Sequence, residues 1–355
     1  MFKIHFDTKA LNKEDLLSAL FFDTSPENQL ALTFCNEWFS NQPFFNIPTS
    51  GSTGTPKTIS ITRNQIKESV QLTKQAFNLT DNDTCLLNLS AKHIAGKMML
   101  ARAMDIGMEI TLTTPTSNPL RNITTSFDFY AFVPLQIQTI ITQTPEKIEQ
   151  LNKAKAIIIG GAKVSLELEE LLQQIKAPIY ATYGMTETVS HIALKRLNSA
   201  LKTPFYEALP SIELAVDNRN CLKIKASVTN NEWISTNDIV NLEDDHFDIL
   251  GRIDNIINTG GLKVQAEKIE QVVELFFKKN KLSNRFFIAP LPHSQFGEQV
   301  TLFVEGEFEM KPILLTELVH QLEKHEVPKE VISIPLFEET ESGKVDKRST
   351  IANLQ

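Results

Sequence analysis

Between residues 86 and 181 short apolar runs alternate with helical patterns, and this alternation limits the fold more than any other feature of the chain. Residues 86–89, 109–112, 130–133, 156–159 and 178–181 read as strands. Residues 97–106, 135–141 and 166–175 read as helices, the first rich in Met and Ala. Such βα units imply an α/β fold with a mostly parallel sheet. Ligands of such sheets gather where strands end and loops begin. Upstream, residues 1–45 mix a short strand pattern with a helix over 13–22, and a helical pattern starts at Asn64. After Leu201 the texture changes to short alternating strands such as 213–216 and 222–226, which suggests an antiparallel or barrel-like section. It changes again near Leu250-Gly251-Arg252. Beyond lie a strand, an amphipathic helix over 266–277, further strands and a charged helix near 316–324.

A chain of 355 residues has room for two domains. The boundary is placed at residue 250, giving a large domain over 1–250 and a small α+β domain over 251–355. The net charge of -8 argues against a general nucleic-acid or anionic-membrane surface, though not against a local basic pocket. No stretch approaches the ~18 apolar residues of a membrane span. Residues 1–7 lack the apolar core of a signal peptide. Cys35, Cys85 and Cys221 are too few and too scattered for a disulfide framework or a zinc site. A cytoplasmic protein with buried free thiols is expected.

Thr49-Ser50-Gly51-Ser52-Thr53-Gly54-Thr55-Pro56-Lys57 crowds hydroxyls and glycines before a lysine. Glycine lets a backbone turn sharply, and the N–H groups of such a turn form a concavity for an anion. Hydroxyl donors and the Lys57 charge fit a polyphosphate. The spacing is not that of a P-loop, because Pro56 intervenes and Lys57 lies three residues past Gly54. A flexible linker is the bland alternative. It is disfavoured by the strand-like residues 44–47 before the run and 58–61 after it.

Tyr183-Gly184-Met185-Thr186-Glu187-Thr188 follows the strand at 178–181. Tyr183 offers a ring for stacking on a purine, Thr186 a hydroxyl for a phosphate, and Glu187 a hard oxygen ligand suited to Mg²⁺. The same run also reads as a turn with Thr186 or Thr188 as an N-cap. Gly160-Gly161-Ala162 closes another strand and permits close backbone approach.

These runs, in this order, resemble the signatures of the adenylate-forming enzymes, which include acyl-CoA synthetases, luciferases and peptide-synthetase adenylation domains. The resemblance implies that the first run binds ATP phosphates. It places Tyr183 on adenine, Thr186 on the α-phosphate, Glu187 on magnesium, and Gly161-Ala162 beside adenine and the acyl carboxylate. Trp233-Ile234-Ser235-Thr236-Asn237-Asp238 resembles the segment whose aspartate holds the ribose hydroxyls. Asn237 stands where the family has glycine, and Asn tolerates the left-handed backbone. Gly251-Arg252-Ile253-Asp254 resembles the hinge, with Arg252 on ribose or phosphate and Asp254 as the pivot of a mobile C-terminal domain. Gly260, Gly261 and Lys263 match the loop that lines the channel of coenzyme A. Ser342-Gly343-Lys344 matches the segment whose lysine enters the site for adenylation, although the residues before it depart from the family pattern. Fewer residues than usual precede the phosphate run, so a trimmed N-terminal subdomain is expected.

Within the family, residues 93–110 and Val133-Pro134-Leu135-Gln136 resemble the o-succinylbenzoate–CoA ligases of menaquinone biosynthesis. So does Thr186-Glu187-Thr188 followed by Ser190 and Ile192. The resemblance implies an aromatic acid, ATP, Mg²⁺ and coenzyme A as ligands, with catalysis by Lys344, Thr186, Glu187 and Arg252. An acid of this kind keeps one carboxylate that is not activated, so its pocket needs donors or a positive charge. His93, Lys97, Arg102 and Lys195 are the candidates, with Pro134 and Gly160 as lining residues. Two alternatives stay open: another acyl or aryl ligase, including one that loads a carrier protein, and a nucleotide-binding module without catalysis. A homodimer is also left open.

Overall fold

The computed structural model describes residues 2–18, 24–48, 58–340 and 345–354. The run expected to bind phosphate, residues 49–57, the end of the helix expected over 13–22, and Lys344 lie outside them. Contacts divide the chain into two units. The first holds residues 1–214, 224–234 and 243–247, and the second holds 215–223, 235–242 and 248–355.

The strands of the first unit are β1 (Lys3–Phe6), β2 (Lys9–Leu11), β3 (Phe44–Pro48), β4 (Thr58–Thr62), β5 (Thr84–Leu87), β6 (Glu109–Leu112), β7 (Phe129–Phe132), β8 (Ala156–Ile159), β9 (Ile179–Gly184), β10 (His191–Arg196) and β11 (Tyr206–Ala208). Its helices are α1 (Lys13–Ser18), α2 (Pro26–Phe39), α3 (Arg63–Phe77), α4 (Ile94–Ile106), α5 (Pro134–Gln143), α6 (Ile148–Leu151) and α7 (Leu166–Leu171). The sheet runs β2-β1-β6-β5-β7-β8-β9-β10-β11, while β3 and β4 form a separate hairpin. From β1 to β9 the neighbours in this order are parallel. All four residues of β7 and of β8 are buried, as strands covered on both faces must be. The fold is mixed α/β. The antiparallel strands expected after Leu201 are present, and the pairing of β10 with β11, and of Tyr206 and Glu207 with Phe247 and His246, joins them to the main sheet.

Sheet order creates the site. The chain passes from β5 through α4 to β6 on one side of β5, then returns to β7 on its other side. Such a reversal opens a crevice at the carboxyl ends of the two strands. Asn88 and Gln136 bridge that point. Asn88 Nδ2 donates to Gln136 Oε1 at 3.0 Å, and Gln136 Nε2 donates to Asn88 O at 3.1 Å and to Thr116 O at 2.9 Å.

The second unit holds β16 (Ile256–Thr259), β17 (Leu262–Gln265), β18 (Phe286–His293), β19 (Gly297–Glu305) and β20 (Glu330–Ile334) in one sheet, with α8 (Ala266–Lys279), α9 (Lys311–Gln321) and α10 (Lys347–Ala352). The strands between, β12 (Glu213–Val216), β13 (Cys221–Lys225), β14 (Ile234–Glu243) and β15 (His246–Arg252), are divided between the units. Ile269, Val273, Phe276, Leu314 and Leu318 share one core with Val300, Leu302 and Val304.

Three helix expectations are corrected. The one over 166–175 ends at Leu171 and tightens into a 3₁₀ turn over Leu172–Gln174. The charged helix near 316–324 begins at Lys311 and ends at Gln321, because buried Leu314 and Leu318, four residues apart, define its face rather than its charges. The apolar pattern from residue 97 extends back to Ile94. Among the described residues no helix is long and apolar enough to cross a membrane. All three cysteines are buried and free.

Candidate active site

The ends of three adjacent parallel strands carry most of the candidates in the first unit. β7 ends at Val133-Pro134, β8 at Gly160-Gly161-Ala162, and β9 contains Tyr183 and Gly184. Gly160 N–H donates to Phe132 O at 3.1 Å, and Thr182 Oγ1 donates to Ile159 O at 3.2 Å, so the three ends are stitched together. Gly161 has φ +87°, a conformation L side chains rarely adopt.

Met185–Ser190 link β9 to β10, whose register pairs Gly184 with His191 and Ala193 with Tyr183. Thr186–Thr188 form a 3₁₀ turn. Thr188, fully buried, accepts from Met185 N–H at 3.0 Å and lies 2.8 Å from Ser190 O, so it holds the turn itself. Thr186 and Glu187 are half-buried, and their side chains have no hydrogen-bond partner among the described residues. The turn thus fixes the backbone and leaves the two candidate ligand groups uncommitted. A Cβ on Gly184 would meet Ser190 O at 2.2 Å and His191 Cα at 2.7 Å, both backbone atoms that cannot swing aside. Gly184→Ala is therefore expected to cost about 1–3 kcal/mol of stability, checked by denaturant unfolding.

Tyr183 is 8% exposed. Phe247 meets its ring edge-on at 5.0 Å, and Tyr206, whose ring lies 5.9 Å from that of Tyr183, stacks on Phe247 at 5.6 Å. These contacts fix the plane of the Tyr183 ring.

Glu187 fits a magnesium role. Among the described residues no group of three or more His, Cys, Asp or Glu side chains could hold a metal. A single unpaired carboxylate is the donor set expected for Mg²⁺, which keeps waters and takes its other ligands from substrate phosphates.

α4 lies between α2 and α3 and carries the acyl-side candidates. His93 is its N-cap, without a side-chain capping bond. Gly96 lets the first turn approach Ser90, whose carbonyl oxygen a Cβ would meet at 2.3 Å. Lys97 turns toward α2, its Nζ 4.9 Å from the centre of the Phe34 ring, and burial lowers its pKa. Arg102 faces α3 instead. The structure therefore does not bring Lys97 and Arg102 to one point. Lys195 is half-buried on β10, opposite Ala181.

Arg102 is 2% exposed. Its Nε donates to Thr73 Oγ1 at 3.1 Å and its Nη2 to Ser190 Oγ at 2.8 Å, while Nη1 lies 3.8 Å from Met99 Sδ. Among the described residues no carboxylate pairs with it. Burial lowers its pKa to about 10, still charged at neutral pH. A buried charge is costly unless it is paired, so this guanidinium calls for an anion.

His191 sits against the same cluster, its Nε2 3.3 Å from Thr73 Oγ1. Burial, and then the Arg102 charge, lower its pKa well below the ordinary value. A base with a depressed native pKa contributes stability that is present above its unfolded pKa, about 6.5, and lost as pH falls below it. His191→Gln should flatten the decline of unfolding free energy between pH 6.5 and 5, measured by urea titrations at stepped pH. An unchanged slope would remove His191 from that role.

Thr73 and His191 were not candidates from sequence. The available signal was polar: Ser69 and Thr73 lie on the face of α3 that also buries Ile66, Val70 and Phe77.

In the second unit Arg252 Nη1 donates to Asp238 Oδ1 at 3.0 Å and Nη2 to Asp254 Oδ2 at 2.8 Å. Asn237 Nδ2 lies 3.1 Å from both oxygens of Asp254. Asn237 is not in a left-handed conformation; it lies within β14, where its amide reaches the Asp254 carboxylate, and this corrects the expectation. Gly260 and Gly261, at φ +58° and +82°, make the two-residue turn of the β16–β17 hairpin, and Lys263 follows it, exposed. Positive φ at both central residues marks a type I′ turn, which glycine favours.

The AMP-binding family model, described as AMP-binding enzyme, matches residues 5–223. The 2-succinylbenzoate–CoA ligase of Escherichia coli (strain K12) is 25% identical over 275 residues, covering 74% of this chain and 58% of that protein. That of Lactococcus lactis is 26% identical over 317 residues, covering 84% and 68%. The chain thus spans less than two thirds of the length of the E. coli relative. An acyl-CoA synthetase (AMP-forming)/AMP-acid ligase II-like protein from Dyadobacter fermentans superposes with TM-score 0.65 at 34% identity, covering 97% of this chain and 99% of that one. The o-succinylbenzoate coenzyme A synthetase from Bacillus subtilis, in complex with ATP and magnesium ion, shares the fold at TM-score 0.70 and 19% identity, covering 86% and 69%. A family match over more than half the sequence and a relative 34% identical along nearly its whole length agree: this chain belongs to the AMP-binding enzyme family.

Proposed function

We propose that this chain is an ATP-dependent acid–thiol ligase that converts o-succinylbenzoate to its coenzyme A thioester through an acyl-adenylate, as in menaquinone biosynthesis. The observation that carries the substrate is Arg102, a buried guanidinium with no carboxylate partner among the described residues. A dicarboxylic acid supplies that partner with the carboxylate that does not react, while the other carboxylate is activated. The relatives named 2-succinylbenzoate–CoA ligase support the same acid.

In this reading the acyl carboxylate attacks the α-phosphate of ATP and pyrophosphate leaves. Thr49–Gly54 and Lys57 orient the outer phosphates. Thr186 donates to the α-phosphate, Tyr183 and Gly161–Ala162 flank the adenine, and Met185 and Gly184 shape the turn beneath it. Asp238 and Arg252 hold the ribose. Glu187 would hold the magnesium ion, which offsets phosphate charge when bound. Lys344 adds a positive charge to the transition state. His93, Pro134 and Gly160 wall the acid. Residues 251–355 act as a mobile domain that turns about Asp254, after which Gly260, Gly261 and Lys263 line the path of the coenzyme A thiol. These are positioning and electrostatic effects, which dominate phosphoryl chemistry.

The test is pyrophosphate release from MgATP across a panel of aromatic acids, with and without coenzyme A. Turnover that requires o-succinylbenzoate and coenzyme A supports the reading. Preference for a monocarboxylic acid would sink the substrate and keep the reaction class.

A further inference from the structure

We propose that Thr73 and His191 are positioning residues that hold Arg102 by one edge of its guanidinium, so that the adjacent Nη1–Nη2 edge meets the spare carboxylate of the acid. The inference rests on the reading of Arg102 given above.

A guanidinium presents its N–H donors as a fixed planar fork. One side of the fork consists of Nε–H and one Nη2–H. That side is taken: Nε–H goes to Thr73 Oγ1 and Nη2–H to Ser190 Oγ. The remaining donors point from the Nη1–Nη2 end. Their one contact among the described residues is the Met99 sulfur at 3.8 Å, a weak acceptor. The occupied side therefore decides which side is left to grip a carboxylate with two parallel bonds.

Thr73 is fully buried, and its hydroxyl oxygen has three neighbours within hydrogen-bond distance. The hydroxyl has one proton and two lone pairs. The proton goes to Ser69 O, one helical turn back, at 3.2 Å. One lone pair accepts from Arg102 Nε–H. The other faces His191 Nε2 at 3.3 Å. With the hydroxyl proton on Ser69 O, the Nε2–H tautomer of His191 donates to that lone pair. With the second lone pair engaged, the Thr73 oxygen cannot rotate away from Arg102 without losing two other bonds. The His191 ring is in turn braced by Phe77, centroid to centroid 6.4 Å. Each member comes from a different element: Thr73 from α3, Arg102 from α4 and His191 from β10. The cluster therefore fixes the arginine relative to the sheet rather than to its own helix.

The test compares Thr73→Val, Thr73→Ser, His191→Phe and Arg102→Met in the full chain, using o-succinylbenzoate and a benzoate-class acid that lacks the second carboxylate. Thr73→Val should raise KM for o-succinylbenzoate about tenfold, with kcat changed less than about twofold and KM for ATP unchanged. Kinetic constants for the monocarboxylic acid should stay the same. Thr73→Ser should restore the wild-type KM. His191→Phe should raise KM in the same direction by a smaller factor. A general packing defect would instead lower thermal stability and affect both acids alike, and that outcome overturns the proposal. So does an unchanged KM in Thr73→Val while Arg102→Met raises it. If Arg102→Met itself leaves KM unchanged, or the wild type turns over no dicarboxylic aryl acid, the reading of Arg102 falls and the inference falls with it.

Discussion

Arg102→Met is expected to lower kcat/KM for o-succinylbenzoate by about 10²–10³ while making the protein more stable. The activity loss follows from leaving a substrate carboxylate without its partner in a buried site. Truncating one side of a buried, hydrogen-bonded charge pair costs about 2–5 kcal/mol. The gain in stability follows from the free protein. Arg102 is buried, charged and unpaired by any carboxylate among the described residues. Burying a charge without a counter-ion is costly, so an apolar side chain of similar length removes that cost from the free protein. Its partners lose little. Thr73 keeps Ser69 O and His191, and Ser190 is half-buried and reaches water. Steady-state kinetics on the acid panel and thermal unfolding together test this. Loss of activity with loss of stability would mean that Arg102 is a core residue, and unchanged activity would mean that it does not meet the acid.

Opposed effects on stability and activity are expected at a site whose charge is matched by a ligand rather than by the protein. They also explain which parts of the site can be read from sequence. Tyr183 to Thr188 are contiguous, so one short segment carries most of their arrangement. Strand β8 was legible because an unbroken apolar run ended in Gly160-Gly161, and β6 because Ile110 and Leu112 alternate with Glu109 and Thr111. The Arg102 cluster was not legible, because Thr73 and His191 are 118 residues apart and meet only through sheet order. Arg102 stood out as a charge on an apolar helix, but its direction did not. Lys97, five positions earlier, is the same kind of signal and faces Phe34 instead. Asn237 shows another limit. A residue standing for glycine suggested a left-handed turn, yet the strand accommodates it and its amide meets Asp254. A substitution can take a side-chain role that the backbone argument never raises. The α9 correction has a similar cause: the charges of residues 316–324 are conspicuous in the sequence, but the buried Leu314–Leu318 pair sets the helix.

Glu187→Gln is expected to abolish most adenylation, by about 10²–10³, without changing the stability of the free protein. Glu187 has no hydrogen-bond partner among the described residues, so the folded state does not depend on its charge. Gln has the same shape, and surface or half-exposed changes away from pairs and cores usually stay within about 0.5 kcal/mol. The turn that carries it should also persist, because Thr188 and not Glu187 makes the bonds to Met185 and Ser190. The amide cannot supply the anionic oxygen that a hard divalent ion prefers. Two readouts separate this role from a structural one. In thermal unfolding, MgATP should shift the wild-type midpoint upward by mass action, and the shift should shrink in Glu187→Gln while the unliganded midpoint stays the same. In kinetics, transfer of the acyl group from a preformed acyl-adenylate to coenzyme A should proceed at the wild-type rate, because the pyrophosphate has already left. A full MgATP shift in the variant would show that Glu187 does not hold the ion. Equal loss in both half-reactions would show that the turn itself had changed.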